Sequence, residues 1–235
     1  MKTISVIIPA YNEERRLGKT LSLWQDFLKT ENSNHKITEI IVVDDGSEDR
    51  TCQVAKSFNN NLPVKIIEIK PNMGKGHAVR TGVKKSSGDL IFIYDADAAV
   101  EPEEINKLLL QTKNADIIIG SRTAVGAKTK ISFIRNIVGI CFHLLCLPLL
   151  PGIKDASCGA KLFEKNCAKK IFSEQKINRF AFDIEILWLA QKLNFKIKEI
   201  GVVWQEIPGS KVRVFKDGLE MFISVLSIYK RHLLG

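Results

Sequence analysis

The sequence predicts an α/β fold, a mostly parallel sheet flanked by helices on both faces. Three observations predict it. Five short apolar runs, rich in Ile and Val, lie between Ile4 and Ile119. Each of the first four leads through a polar turn into a stretch that reads as helix. The turns carry acids, glycines and prolines, without the two-residue loops that join antiparallel neighbours. Strands alternating with helices at this interval require crossover connections.

The elements follow in order. Ile4 to Pro9 is the first strand, and Ala10-Tyr11-Asn12-Glu13-Glu14 is the turn after it. Leu17, Leu21, Trp24 and Leu28 then fall on one helical stripe, with Asn12 as the expected N-cap. A polar connector, Glu31 to Lys36, leads to Glu39-Ile40-Ile41-Val42-Val43, which ends in Asp44-Asp45-Gly46-Ser47. A helix through Val54, Ala55 and Phe58 follows, then a third strand, Val64 to Ile69. Pro71-Asn72-Met73-Gly74-Lys75-Gly76 opens the helix Ala78 to Lys85. The run Leu90-Ile91-Phe92-Ile93-Tyr94 enters Asp95-Ala96-Asp97 directly, and Pro102 starts the next helix. Ile117-Ile118-Ile119 is the fifth strand.

At 235 residues and 45% hydrophobic content the chain has ample material for a core. Lys and Arg number 35 against 26 Asp and Glu, a net charge of +9. That balance favours a polyanionic partner such as a phosphorylated substrate, an anionic membrane or nucleic acid. Cys52, Cys141, Cys146, Cys158 and Cys167 form no C-x-x-C pair and read as reduced thiols in a cytosolic setting. The four histidines lack metal-ligand spacing. A strand starting at Ile4 leads to the expectation of no signal peptide.

In an open parallel sheet the turns at the carboxyl ends of the strands share one edge, where such sheets bind ligands. Asp95 and Asp97, two apart in an extended segment, point to the same side. A hard divalent cation takes one or two carboxylates plus substrate phosphates, and this pair suits it. The competing reading is an aspartate pair that caps the next helix. Asp45 can accept hydrogen bonds from a nucleobase or ribose, or can serve an Asx turn with Ser47 as helix cap. Gly74-Lys75-Gly76 can present backbone N–H groups and the Lys75 charge to an anion, although a strand-to-helix loop also takes glycine for steric reasons. Neither G-x-x-x-x-G-K-[ST] nor G-x-G-x-x-G occurs.

Ile7-Ile8-Pro9-Ala10-Tyr11-Asn12-Glu13-Glu14, Val42-Val43-Asp44-Asp45-Gly46-Ser47-Glu48-Asp49-Arg50-Thr51 and Asp95-Ala96-Asp97 resemble family 2 glycosyltransferases of the GT-A fold. That fold is a Rossmann-like arrangement used by nucleotide-diphospho-sugar transferases. Further segments resemble its dolichyl-phosphate glucosyltransferase branch, with dolichyl-phosphate mannose synthases as close relatives. They are Asn72 to Arg80, Gly120-Ser121-Arg122, Asp155 to Phe163, Arg179-Phe180-Ala181-Phe182-Asp183-Ile184-Glu185 and Trp204 to Lys211.

The resemblance implies roles. Pro9, Ala10, Tyr11 and Glu13 contact the nucleotide, Asp45 lies against the base, and Asp44, Gly74, Lys75, Asp95 and Ala96 complete the nucleotide-sugar set. Asp95 and Asp97 bind Mg²⁺ or Mn²⁺, Asp97 most directly. Arg122 and Arg135 hold the acceptor phosphate, and Lys211 closes over the diphosphate. Asp97, Asp183, Arg122 and Lys211 are the catalytic set, with Asp183 the base candidate, expected here to orient groups. Ser157 and Ala160 depart from the amide and aromatic of glucosyltransferase relatives, which bears on the identity of the sugar.

The implied activity is metal-dependent inverting transfer of a hexose, preferably glucose from UDP-glucose, to a polyprenyl or dolichyl phosphate. GDP-mannose as donor and a sugar hydroxyl as acceptor are the alternatives within the family. Residues 1–235 then form one domain: a nucleotide-sugar half at 1–125, an acceptor half at 126–210 and a C-terminal amphipathic helix at 211–235. The apolar window Ile131 to Leu150 carries Arg135, Asn136, His143 and Pro148, and the motifs on its two sides need one compartment. It is therefore expected to lie in the membrane interface without crossing. The segment Phe215 to Leu234, with basic ends, suits an anionic leaflet or the protein core. The expected location is peripheral, on the cytoplasmic face of a membrane, with a membrane-protein partner or a second copy as further candidates. Outside enzymes, the charge admits a nucleic-acid-binding module, but the basic residues are scattered and the aromatics lie in apolar stripes. A catalytically silent membrane-docked subunit is the third class, and the intact acid pair argues against it.

Overall fold

The computed structural model describes residues 1–30, 35–130, 139, 142–207 and 222–230. Its first strand, β1 (Lys2–Ala10), pairs in parallel with β2 (His35–Asp44) on one side and β4 (Leu90–Ile93) on the other. β3 (Val64–Glu68) adds to β2. β5 (Ile117–Ser121) and β8 (Ile197–Gly201) pair in parallel at the far side. β7 (Lys161–Glu164) fits antiparallel between β4 and β5 and completes a seven-stranded order β3-β2-β1-β4-β7-β5-β8. A two-stranded ribbon joins β6 (Lys128–Lys130) to β9 (Val203–Gln205).

Because β1, β2 and β4 are covered on both faces, their side chains are apolar without alternation. One face buries Ile4, Val6 and Ile8 against α1 (Leu17–Thr30), α2 (Thr51–Lys56) and α4 (Ile105–Leu109). The other buries Ile7, Ile41 and Val43 against α3 (Lys75–Lys85), α5 (Lys165–Glu174) and α6 (Phe182–Lys192). The apolar stripe of α1 runs through Leu17, Leu21, Trp24 and Phe27, with Leu28 only partly buried.

The expectation that Asn12 caps this helix is not met. Asn12 has φ +52°, its side chain accepts Glu48 N–H at 2.9 Å, and α1 begins five residues later, after a turn closed on the Glu13 carbonyl. Asn12 instead ties the first turn to the second.

The helical stretches 142–146 and 222–230 pack together, the Tyr229 hydroxyl donating to the Leu145 carbonyl at 2.8 Å. Cys146, Leu149, Val225 and Ile228 are buried, while Leu144, Leu147, Phe222, Ile223 and Leu226 are exposed. Most of the expected interfacial helix at 131–150, and much of the C-terminal one, lie outside the described residues. Among the described residues no helix is long and apolar enough to cross a membrane.

Candidate active site

The carboxyl ends of β1, β2, β4 and β5 bring the first turn, the Asp44-Asp45 turn, the Asp95–Asp97 turn and Arg122 to one edge of the sheet. The antiparallel β7 starts at the same edge, since Lys161 pairs in register with Ile93 and Ile119.

β4 ends at Ile93, and the chain turns at once. The Tyr94 hydroxyl donates to the Val100 carbonyl, Asp97 Oδ1 accepts the Ala99 N–H at 3.1 Å, and Ala98 takes φ +54°. A non-glycine residue in that region is strained, and here the turn it closes holds both carboxylates at the sheet edge. Lys75, on the first turn of α3, reaches Asp95 Oδ1 at 2.6 Å. Burial alone would raise the Asp95 pKa, yet Lys75, Lys161 and Arg122 hold it below the usual carboxylate range. Asp97 moves the other way, pushed up by burial and by the adjacent Asp95 charge. Burial opposes the charge on Lys75 as well, and Asp95 and Asp183 keep it above its ordinary value.

Behind this group lies an ion pair absent from the sequence reading. Lys161 is fully buried, donates to the Cys158 carbonyl and lies 2.6 Å from Asp183 on the first turn of α6. The segment it fastens includes Gly159, where a Cβ would overlap the Asp95 carboxylate. Gly159 is thus the floor on which Asp95 rests. On the opposite side Arg16 pairs with buried Glu13 and lies 3.9 Å from Asp97 Oδ2.

Of the two readings of the 72–76 loop, the contacts favour the steric one for its glycines. Met73 and Gly74 direct their N–H groups to the Asp45 carboxylate at 3.0 and 2.7 Å, and the Asn72 amide adds a third bond at 2.8 Å. These two N–H groups are therefore committed within the protein. The glycines answer to space: a Cβ at Gly74 would lie 2.6 Å from the Asn178 carbonyl, and one at Gly76 2.6 Å from Phe182 Cβ. The steric reading of this loop holds. Asp45, 2% exposed, organises the loop.

Asp44 accepts the Ser47 N–H at 2.9 Å. Pro9 and Ala10 are buried at the end of β1, Tyr11 is 39% exposed, and the Ala96 carbonyl accepts the Thr20 hydroxyl. Arg122 forms a bidentate pair with Asp155 and stacks over the Trp204 ring, 5.5 Å from its centroid. Arg135 and Lys211 lie outside the described residues. Ala160 is 1% exposed within the core. Ser157 lines a cavity of about 60 Å³ with Phe142, Cys146, Ile153, Asp155 and Ile184.

Residues 5–172 match the family described as glycosyl transferase family 2. The chain belongs to glycosyl transferase family 2. It is 39% identical over 249 residues to the dolichyl-phosphate β-glucosyltransferase of Dictyostelium discoideum, covering 99% of this chain and 75% of that protein. It is 37% identical over 250 residues to the mouse (Mus musculus) protein of the same name, covering 100% of this chain and 77% of that one. Among solved structures, it is similar to glucosyl-3-phosphoglycerate synthase of Mycobacterium tuberculosis in complex with Mn²⁺, UDP-glucose and phosphoglyceric acid. That likeness has a TM-score of 0.71 at 17% identity, over 96% of this chain and 77% of that one, and it is a likeness of fold.

The family and the GT-A fold read from the sequence are thereby borne out. The chain carries its acid pair at the carboxyl edge of the sheet, where open α/β sheets bind ligands. Among the described residues no three His, Cys, Asp or Glu side chains form a self-contained metal site. Two hard carboxylates, partly exposed at 31% and 27%, fit a cation that completes its shell with substrate phosphates. Asp97 has the freer carboxylate of the two, because Asp95 is held by Lys75 and Gly159. Arg16, Asp155 and Lys161 join the site with no role readable from the sequence, although Asp155 and Lys161 lie in a segment that resembles the family. For Arg16 the signal was its place three residues after Glu13.

Proposed function

We propose that this family 2 glycosyltransferase is a hexosyltransferase that moves glucose from UDP-glucose to a dolichyl or other polyprenyl phosphate. The observation that carries the reading is identity over nearly the whole chain to proteins named for dolichyl-phosphate β-glucosyl transfer. The site chemistry agrees with it.

A phosphate acceptor needs little deprotonation, because the second pKa of a phosphomonoester is about 6. One of its oxygens attacks C1 of the sugar from the face opposite the leaving group. The new C1–O bond forms as the old one breaks, and the electron pair leaves on the UDP diphosphate with inversion at C1. Asp97 and Asp95 are the residues that would hold Mg²⁺ or Mn²⁺, which when bound supplies Lewis-acid neutralisation of that diphosphate. Lys75 adds a fixed positive charge on the same side. Arg122 receives the acceptor phosphate, and Arg135 and Lys211 keep the roles given them by resemblance. Asp183, already engaged by the Lys161 ammonium, orients the site and takes no proton. Asp45 shapes the base side of the donor site through the loop it holds. Leu144, Leu147, Phe222, Ile223 and Leu226 form the face that meets the cytoplasmic leaflet of a membrane.

The test is product analysis. Purified protein is given radiolabelled UDP-glucose or GDP-mannose with dolichyl phosphate and Mn²⁺, and lipid products are separated by thin-layer chromatography. Glucose in the lipid fraction is expected. Mannose in its place would reassign the donor, and label only in water-soluble sugar would remove the lipid acceptor.

A further inference from the structure

Arg122 is fastened more completely than binding by a flexible arginine would require. It follows Ser121, the last residue of β5, and Asp155 takes hold of both its backbone and its side chain. Asp155 Oδ2 accepts the Arg122 backbone N–H at 2.7 Å and Nε–H at 2.8 Å, and Oδ1 accepts from Nη2 at 2.6 Å. Asp155 is itself anchored. Glu199 on β8 accepts the backbone N–H groups of Asp155 and Lys154 at 2.8 and 2.9 Å. Since Glu199 pairs in register with Ile119 of β5, the relay runs from the sheet through the 154–155 backbone and returns to a residue at the end of β5. Trp204 covers one face of the guanidinium.

A buried Arg–Asp pair is weak evidence for stability, since its desolvation cancels much of its attraction. The geometry gives it another use. A guanidinium has five N–H donors in a planar fork, and Asp155 takes two of them on one edge. The remaining donors face away from Asp155. An arginine locked in this way meets a phosphate without first losing rotamer freedom.

We propose that Asp155 and Glu199 are positioning residues for the acceptor phosphate: through them β8 sets the plane and direction of the Arg122 fork. The proposal rests on the reading of Arg122 as the acceptor-phosphate residue. Both act through Arg122, Asp155 by direct bonds and Glu199 by holding the Asp155 backbone.

The test separates acceptor from donor. Steady-state kinetics with UDP-glucose and farnesyl phosphate, a water-soluble polyprenyl phosphate, are measured for wild type, Asp155→Asn and Glu199→Gln. UDP affinity is measured by calorimetry on the same samples. The acceptor KM is expected to rise roughly 10- to 100-fold in Asp155→Asn, the scale of one lost charge-assisted bond, and by less in Glu199→Gln. Donor KM and UDP affinity are expected to stay within about twofold, which also shows that the variants are folded. Donor and acceptor constants rising together, or a fall in kcat alone, would overturn the proposal.

A second readout needs no acceptor. In ¹⁵N spectra the Arg122 Nε–H, bonded to Asp155, is expected as a slowly exchanging signal that is lost in Asp155→Asn and shifted in Glu199→Gln. An Nε–H signal unmoved by either substitution would overturn the proposal as well. If wild type makes no lipid product, the function assigned above falls, and the Nε–H signal still decides whether the relay exists.

Discussion

Lys161 Nζ lies 2.6 Å from Asp183 Oδ1, and only 1% of the lysine side chain meets solvent. The pair joins the start of β7 to the first turn of α6. Its second bond, to the Cys158 carbonyl, fixes the segment beneath Asp95. One buried ammonium therefore sets the position of two acids that come from distant parts of the chain.

Breaking that pair from one side leaves a buried charge alone. Lys161→Met is expected to cost about 3–5 kcal/mol of stability by urea unfolding, and Lys161→Met with Asp183→Leu to recover most of it. A single variant as stable as wild type would show that the pair carries no such strain.

Gly159→Ala tests the floor under Asp95. The added Cβ overlaps the carboxylate, so Asp95 has to move away from Lys75. A displacement on the order of 1 Å at a reacting centre lowers rates by about 100-fold. The same loss is expected in kcat/KM for glucosyl transfer, and an unchanged value would mean that Asp95 has room the structure does not show.

Most of the sheet was legible because β1, β2, β4 and β5 centre on runs of Ile, Val, Leu and Phe followed by polar turns. β7 was not, because its first residue is a lysine and only Leu162 and Phe163 follow before Glu164. A buried lysine defeats any reading by hydropathy, since its burial depends on a partner 22 residues away. The Asp95–Asp97 pair and Lys75 stand out by residue type and place, and Arg122 only by resemblance to the family. What holds them was not found, because Asp155, Glu199 and Gly159 act across gaps of 33 to 64 residues. The partner of the Gly74 N–H was out of reach for the same reason, since Asp45 lies 29 residues earlier.

Glu39 gives the protein a predictable acid limit. Burial would raise its pKa, but bonds from Lys65, Ser5 and Ser87 bring it from 4.5 down to about 2. A depressed carboxylate stabilises the fold above its unfolded pKa, and that contribution fades as pH falls through the folded one. Stability should therefore drop between about pH 4.5 and pH 2, by up to roughly 3 kcal/mol. In Glu39→Gln the drop over this window should be smaller and the stability at neutral pH lower, both measurable by urea titration at each pH.

The central claim is that the Asp95–Asp97 turn grips a nucleotide sugar through a divalent cation. Calorimetric titration of UDP-glucose into wild type and Asp97→Asn, with Mn²⁺ and with chelator, tests it most directly. The account predicts that Mn²⁺ tightens wild-type binding by about tenfold or more and leaves Asp97→Asn unaffected. Equal affinities with and without the metal in wild type, or an undiminished metal effect in Asp97→Asn, would contradict it.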